Sequence, residues 1–208
     1  MNFDVAIKRL RFAFTRPLPG AVAQAFMAPE PRREWPKGFN QDKIRSAAGL
    51  LLLFPIDGKA HIVLTLRSDR LGRHGGQVSL PGGVPEPGET FETAALREAH
   101  EEVALLTAEV TVLGALTPID IPVSGFRLHP IVASMTTRPT LVPSDGEVAQ
   151  ILEVSVAELF EPARRIRTSR VRDGREVVVP AFQIAGAEIW GATAMVLSEF
   201  LVLVGWSG

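Results

Sequence analysis

Glu98, Glu101 and Glu102 stand close together in the chain, and Glu89 precedes them. Residues three and four apart share one face of a helix, so the three later carboxylates can project together, with Glu89 before the helix or in its first turn. Carboxylates held that close repel one another unless something neutralises them. A hard divalent cation, Mg²⁺ or Mn²⁺, does so with oxygen ligands and commonly binds substrate phosphates as well. Acidic helix faces are more often solvated or paired with Lys and Arg. Around these glutamates, however, stand Ala94, Ala95, Ala99 and Leu105, with Arg97 as the only nearby cation. The reading is that no i,i+4 cationic partner serves them, which favours a bound cation over a solvated face.

Thr93 to Leu105 is the helix that must carry these groups, and the glycine and proline loop from Gly82 to Glu89 feeds it. Immediately upstream, Leu64 to Gly83 leaves a strand and passes through a loop containing Arg67, Arg70, Arg73 and His74 among glycines. Arginine forks match phosphate oxygens, and glycines let backbone N–H groups approach an anion. The alternative is a surface loop whose arginines pair with acidic neighbours. Its position directly before the acidic helix favours a grip on a phosphorylated substrate.

The stretch from Gly83 to Leu105 resembles the Nudix box of the Nudix hydrolases. Gly83, Glu89, Arg97, Glu98, Glu101, Glu102 and Leu105 fall on that pattern in register, while Ala99 stands for a bulkier aliphatic residue and Ala104 for the final glycine. The Ala104 exchange matters only if that position needs a positive φ. The segment before the box is similar to the extra motif of the coenzyme A diphosphatase branch. Leu64, Thr65, Arg67, Ser68, Gly76, Pro81, Gly82 and Gly83 match it; Val63, Leu80 and Gly72 depart, with Arg73 beside the missing arginine.

The resemblance implies a Nudix fold of α/β (α+β) class, a mixed β-sheet sandwiched between α-helices. It also implies that Glu98 and Glu102, with Glu101 and the Gly83 carbonyl, hold Mg²⁺ or Mn²⁺. Glu101 or Glu147 then orients or deprotonates the attacking water, and Arg97 pairs with Glu89 to brace the loop against the helix. A carboxylate at the end of a loop, such as Glu147, is equally at home in water. The implied substrate is coenzyme A or an acyl-CoA, read by Arg67, Arg70, Arg73 and His74. ADP-ribose or another nucleoside diphosphate derivative is the alternative substrate, and a non-catalytic nucleotide-binding module the alternative class.

The 208 residues fit one domain, expected to span 1–208 with 1–45 as a helical and loop extension. With 46% hydrophobic residues and a net charge of −1, the chain has neither the basic footprint of a nucleic-acid binder nor a disordered composition. The absence of cysteine excludes disulfides, thiolate metal sites and a cysteine nucleophile, and suits a cytoplasmic location. No apolar run reaches the length of a membrane span, about 18 residues, so neither membrane nor nucleic acid is expected as a partner. A homodimer is implied only by family habit.

Along the chain, Met1 to Thr15 reads as an amphipathic helix, and Pro17 to Asn40 as a loop-rich segment with a short helix at Ala21 to Met27. Its Arg32-Arg33-Glu34 run reads as a solvated face, with contact to substrate or a second subunit as the alternative. Ala47 to Pro55 and His61 to Leu66 read as adjacent core strands turned by Asp57-Gly58. Further strands are expected at Ala108 to Leu116, His129 to Met135 and Ile151 to Val156, with Thr117 to Gly125 as a loop. Val156 to Phe160 starts a helix or turn, Arg170 to Pro180 reads as a hairpin around Asp173-Gly174, and Ala192 to Val204 as a final helix, core or dimer contact. His129 and His100 read as packing or surface residues, His74 as the better ligand.

Overall fold

A computed structural model describes residues 1–68, 76–144, 146–172 and 174–208. The helices are α1 (Phe3–Ala13), α2 (Ala21–Gln24), α3 (Phe91–Val103), α4 (Val156–Phe160) and α5 (Gly191–Leu203). The strands are β1 (Arg45–Ile56), β2 (Lys59–Arg67), β3 (Val78–Ser79), β4 (Gly82–Gly83), β5 (Thr111–Ala115), β6 (Ile119–Ile121), β7 (Phe126–Ser134), β8 (Val148–Ser155), β9 (Arg165–Arg172), β10 (Arg175–Ile184) and β11 (Ala187–Trp190).

The central strand is β1. It pairs antiparallel with β2 and β4 and parallel with β7, while β5 and β6 pair with β7, and β3 and β8 with β2. A strand covered on both faces must be apolar along its covered length, and β1 is apolar from Ala47 to Ile56. Leu51 and Leu53 enter a core shared with α1, α5 and β10, whereas Ala48, Leu50, Leu52 and Phe54 enter a second core under α3. The expected mixed sheet between helical layers is therefore present. The β1–β2 turn has positive φ at both Asp57 (49°) and Gly58 (70°), as a type I′ hairpin turn requires.

Several boundaries differ from the sequence reading. The expected loop at Thr117 to Gly125 contains β6, a three-residue edge strand bracketed by Pro118 and Pro122, whose prolines mask it in the sequence. The strand expected from Ala108 begins only at Thr111, because Thr107–Glu109 makes a 3-10 turn. The hairpin expected at Arg170 to Pro180 extends to β9 and β10, which form a three-stranded antiparallel sheet with β11; Asp173 lies outside the described residues.

Helix α5 is buried nearly all round and belongs to the core. Its Glu199 is fully buried and accepts hydrogen bonds from Gly20 N (3.2 Å), Gln24 Nε2 (2.9 Å) and Thr117 Oγ1 (2.7 Å). A buried carboxylate persists only with such donors. This one ties the N-terminal segment and the approach to β6 onto α5.

Candidate functional site

Helix α3 starts at Thr90, whose Oγ1 accepts from Thr93 N at 3.1 Å, an N-cap that satisfies one of the free N–H groups of the first turn. Ala94, Ala95 and Ala99 are fully buried against the sheet. Small side chains let the helix axis lie close to β1 and β4. The helix ends at Ala104, which adopts the left-handed conformation at φ 54°. The position where the family pattern has glycine does require positive φ, and alanine occupies it under strain.

Gly82 and Gly83 lie on the open edge of that close approach. They pair with Gly49 and Ala48 of β1, where a Cβ on Gly82 would collide with the Ala48 carbonyl oxygen. A Cβ on Gly83 would collide with the carboxyl group of Glu98. The glycines are therefore steric requirements of the site.

With roughly 3.6 residues per turn, Glu98 and Glu102 project about 40° apart, and Glu101 lies about 60° to the other side of Glu98. Glu98 and Glu102 accordingly face Gly82–Gly83 and line one cavity with Arg67 and Glu147, whereas Glu101 is outside that lining and its side chain is 55% exposed. Glu102 is 5% exposed, accepts from Gly82 N at 3.1 Å and lies 3.8 Å from Arg67 Nη1. Burial pushes its carboxyl up to about 7; Gly82 N–H and Arg67 oppose that rise, and Glu98 and Glu147 add to it. Glu147 is carried in by β2–β8 pairing, its carbonyl accepting from Ser68 N at 2.9 Å.

The expectation that the glutamates lack cationic partners is wrong. Arg97 donates from Nη1 to both Glu98 Oε1 and Glu101 Oε2 at 3.0 Å, the latter an i,i+4 pair. It also donates from Nε to Glu89 Oε1 (2.9 Å) and from Nη2 to Glu89 Oε2 (3.1 Å) and the Val84 carbonyl (3.2 Å). Arg97 sits four residues before Glu101 and is therefore itself the i,i+4 cation of this face. The hydrogen bond from Arg97, together with Glu86 N–H, holds the Glu89 carboxyl below its usual range. The expected Glu89–Arg97 brace is present.

Arg70, Arg73 and His74 lie outside the described residues. His100 points away from the cavity and bonds through Nδ1 to the Leu105 carbonyl at 2.9 Å, finishing the helix. His129 stacks on Phe91 with ring centroids 3.6 Å apart, on the face under α3.

The cavity encloses about 1370 Å³, and its far walls come from segments no motif marked. Pro29 and Pro31 to Glu34 contribute one side, Ile119 to Ser124 and Phe126 another, and Trp190 to Thr193 with Met195 a third. Asp120 is the charged group the sequence reading missed. It pairs with Arg127 Nε at 2.6 Å across the β6–β7 ladder and accepts from Trp35 Nε1 at 3.1 Å. An acidic residue between prolines carries no sequence signal of that position.

The donor set suits a hard cation: Glu98, Glu102, Glu147 and the adjacent glycine carbonyls all offer oxygen, and burial raises the Glu102 pKa despite the nearby Arg67. Among the described residues no three such side chains are already gathered as an ion cage, and Glu98 accepts from Arg97.

Residues 43–173 match the NUDIX domain family. The chain is 34% identical over 157 residues to a protein of Citrobacter koseri named uncharacterised Nudix hydrolase NudL, covering 74% of this chain and 81% of that one. Its counterpart of the same name from Yersinia enterocolitica is 38% identical over 138 residues, covering 65% and 70%. In fold the chain is similar to the Nudix hydrolase RenU from M. smegmatis (TM-score 0.56, 22% identity, 79% of this chain and 88% of that one). It is also similar to the MutT protein from Methanosarcina mazei Go1 (TM-score 0.50, 17% identity, 76% and 94%). With more than half of its length on the family pattern and relatives above 30% identity over most of their own length, the chain belongs to the Nudix family of hydrolases.

Proposed function

We propose that this Nudix hydrolase cleaves the diphosphate bond of coenzyme A or an acyl-CoA, releasing 3',5'-ADP and 4'-phosphopantetheine or its acyl form. The observation that carries the reading is the single cavity that joins Arg67 and the carboxylates of Glu98, Glu102 and Glu147 to an apolar wall of Ile119, Phe126, Leu128, Trp190 and Met195. At about 1370 Å³, it exceeds the range of about 300–1,000 Å³ usual for small-molecule sites. A substrate with a charged diphosphate and a long, weakly polar arm uses both ends. The similarity of Leu64 to Gly83 to the coenzyme A diphosphatase motif supports the same choice. Because the N-terminal segment and α5 line that cavity too, we read residues 1–208 as one catalytic unit.

Glu98 and Glu102, with the Gly83 carbonyl, are the proposed ligands of Mg²⁺ or Mn²⁺. When bound, such a cation offsets charge on the phosphates and makes a water more acidic. Glu147, lining the cavity, is the better placed base; Glu101 acts more remotely by holding Arg97. The base takes a proton from the water, the water oxygen forms a bond to one phosphorus, and the bridging P–O bond breaks with its electron pair leaving on the other phosphate. Arg67 stands beside the developing negative charge.

A panel of coenzyme A, acetyl-CoA, a long-chain acyl-CoA, dephospho-CoA and ADP-ribose, incubated with Mg²⁺ or Mn²⁺ and resolved by chromatography, tests the reading. Coenzyme A or an acyl-CoA is expected to give the highest kcat/KM. Equal turnover of ADP-ribose would overturn the narrower substrate, and no hydrolysis of any diphosphate would favour the binding module instead.

A further inference from the structure

The arginines Arg32 and Arg33 lie outside the segment that matches the family and outside every motif of the sequence, yet both line the cavity that holds Glu98, Glu102 and Glu147. An exposed Arg-Arg-Glu run is ordinarily a solvated surface. This one is fastened at both ends. On its N-terminal side, Glu30 and Val178 of β10 exchange backbone hydrogen bonds, Glu30 N to Val178 O at 2.8 Å and Val178 N to Glu30 O at 2.9 Å. On its C-terminal side, Trp35 stacks on Phe39 (4.6 Å between centroids) and donates from Nε1 to Asp120 at 3.1 Å. Asp120 is in turn gripped by two nitrogens of Arg127. The four residues 31–34 are thus a short span between two anchors, and it lies along the cavity.

We propose that Arg32 and Arg33 bind a phosphomonoester carried on the substrate's ribose, at a distance from the diphosphate that is cut. The inference rests on the diphosphatase reading and adds a specificity determinant to it. The acidic end of the cavity, with its cation and Arg67, already accounts for the diphosphate. Two arginines held along a different wall of the same cavity present planar guanidinium forks that suit a second anionic group on the same molecule. The Asp120 carboxyl is held low mainly by Arg127, with Arg32 adding to that field, and Glu34 opposes the arginines by one charge, so the group of Arg32, Arg33, Arg127, Glu34 and Asp120 keeps a positive formal balance. Holding the span at both ends reduces the ordering cost of binding, as preorganised recognition requires. The 3'-phosphate of coenzyme A and the 2'-phosphate of a phosphorylated dinucleotide share this chemistry, and the test separates them.

Wild type, Arg32→Gln/Arg33→Gln and Arg32→Lys/Arg33→Lys are titrated by calorimetry with 3',5'-ADP, 2',5'-ADP and 5'-AMP, and the kcat/KM ratio of coenzyme A to dephospho-CoA is measured for each. The wild type is expected to bind 3',5'-ADP at least about tenfold more tightly than 5'-AMP. The glutamine pair erases that preference and lowers the kcat/KM ratio by a similar factor through KM, while the lysine pair keeps part of it. A preference for 3',5'-ADP that survives in the glutamine pair, or is missing from the wild type, overturns the proposal. A 2',5'-ADP preference that depends on the arginines supports it and overturns the coenzyme A reading. Absence of coenzyme A hydrolysis with an arginine-dependent 3',5'-ADP preference leaves this proposal standing and removes only the diphosphatase substrate.

Discussion

The carboxyl group of Glu98 occupies the space in which a side chain on Gly83 would stand. The acidic helix and the glycine strand therefore meet without an intervening atom, and the Gly83 backbone and the Glu98 oxygens share one small volume. Gly83→Ala must push Glu98 aside. Misplacing a catalytic group by about 1 Å can cost on the order of a hundredfold in rate, and we expect kcat/KM to fall by about that factor with the fold retained. Circular dichroism checks the fold and chromatographic quantification of 3',5'-ADP the rate; a Gly83→Ala enzyme of wild-type activity would separate Glu98 from the chemistry.

Glutamine substitutions should rank the carboxylates. Glu98→Gln and Glu102→Gln, which remove proposed cation ligands, should each cost several kcal/mol of transition-state stabilisation, about a thousandfold or more in kcat/KM. Glu147→Gln should fall short of these but remain clearly impaired, as expected for a general base, about a hundredfold or more. Glu101→Gln should cost less than Glu98→Gln or Glu102→Gln, because Glu101 is exposed and bonds Arg97 rather than lining the cavity. Steady-state kinetics in Mg²⁺ and in Mn²⁺ read this order, and a Glu101 variant as inactive as the Glu102 variant would contradict it.

The Glu102 carboxyl links pH, cation and stability. Its folded pKa is raised to about 7 by burial, above the ordinary value of 4.5. A carboxyl with a raised folded pKa contributes stability that is present below the unfolded pKa and lost as pH rises through the folded one. Cation-free protein should therefore lose stability between about pH 4.5 and 7. In EDTA at pH 8, Glu102→Gln should melt at a higher temperature than the wild type, and Mn²⁺ should raise the wild-type melting temperature more than that of the variant. Scanning calorimetry at pH 5 and pH 8, with and without Mn²⁺, measures both; a wild type that is more stable at pH 8 in EDTA with no response to Mn²⁺ would refute the assignment.

Ala104 closes α3 at φ 54° without the glycine that such a cap favours. The left-handed conformation costs an L-residue roughly 1–2 kcal/mol, and glycine recovers part of this while giving up some entropy in the unfolded chain. Ala104→Gly should stabilise the protein by about 0.5–1 kcal/mol without a large change in kcat, since the residue is outside the cavity lining. Urea unfolding at equilibrium reads the difference, and a destabilised variant would show that the cap carries no strain.

The sequence by itself was enough for the local features. The Asp57-Gly58 turn, the apolar β1 run and the acidic helix depend on neighbours within a few residues, and all of them are present; the Glu89–Arg97 pair, implied by the family resemblance, joins residues eight apart and is present as an ion pair. Helical spacing also brought Glu98, Glu101 and Glu102 to one side of α3, yet only contact with the Gly82–Gly83 strand separated Glu98 and Glu102, which line the cavity, from Glu101, which pairs with Arg97. The tertiary structure alone decided which residues wall the cavity. Arg32 and Arg33, Asp120 and the wall from Trp190 to Met195 are far apart in the chain and carry no shared pattern. They meet because β6 pairs with β7, the N-terminal segment bridges to β10, and the buried Glu199 fastens that segment to α5. Such long-range pairings depend on which faces must be buried together, and a periodicity read along one stretch of chain does not contain that information.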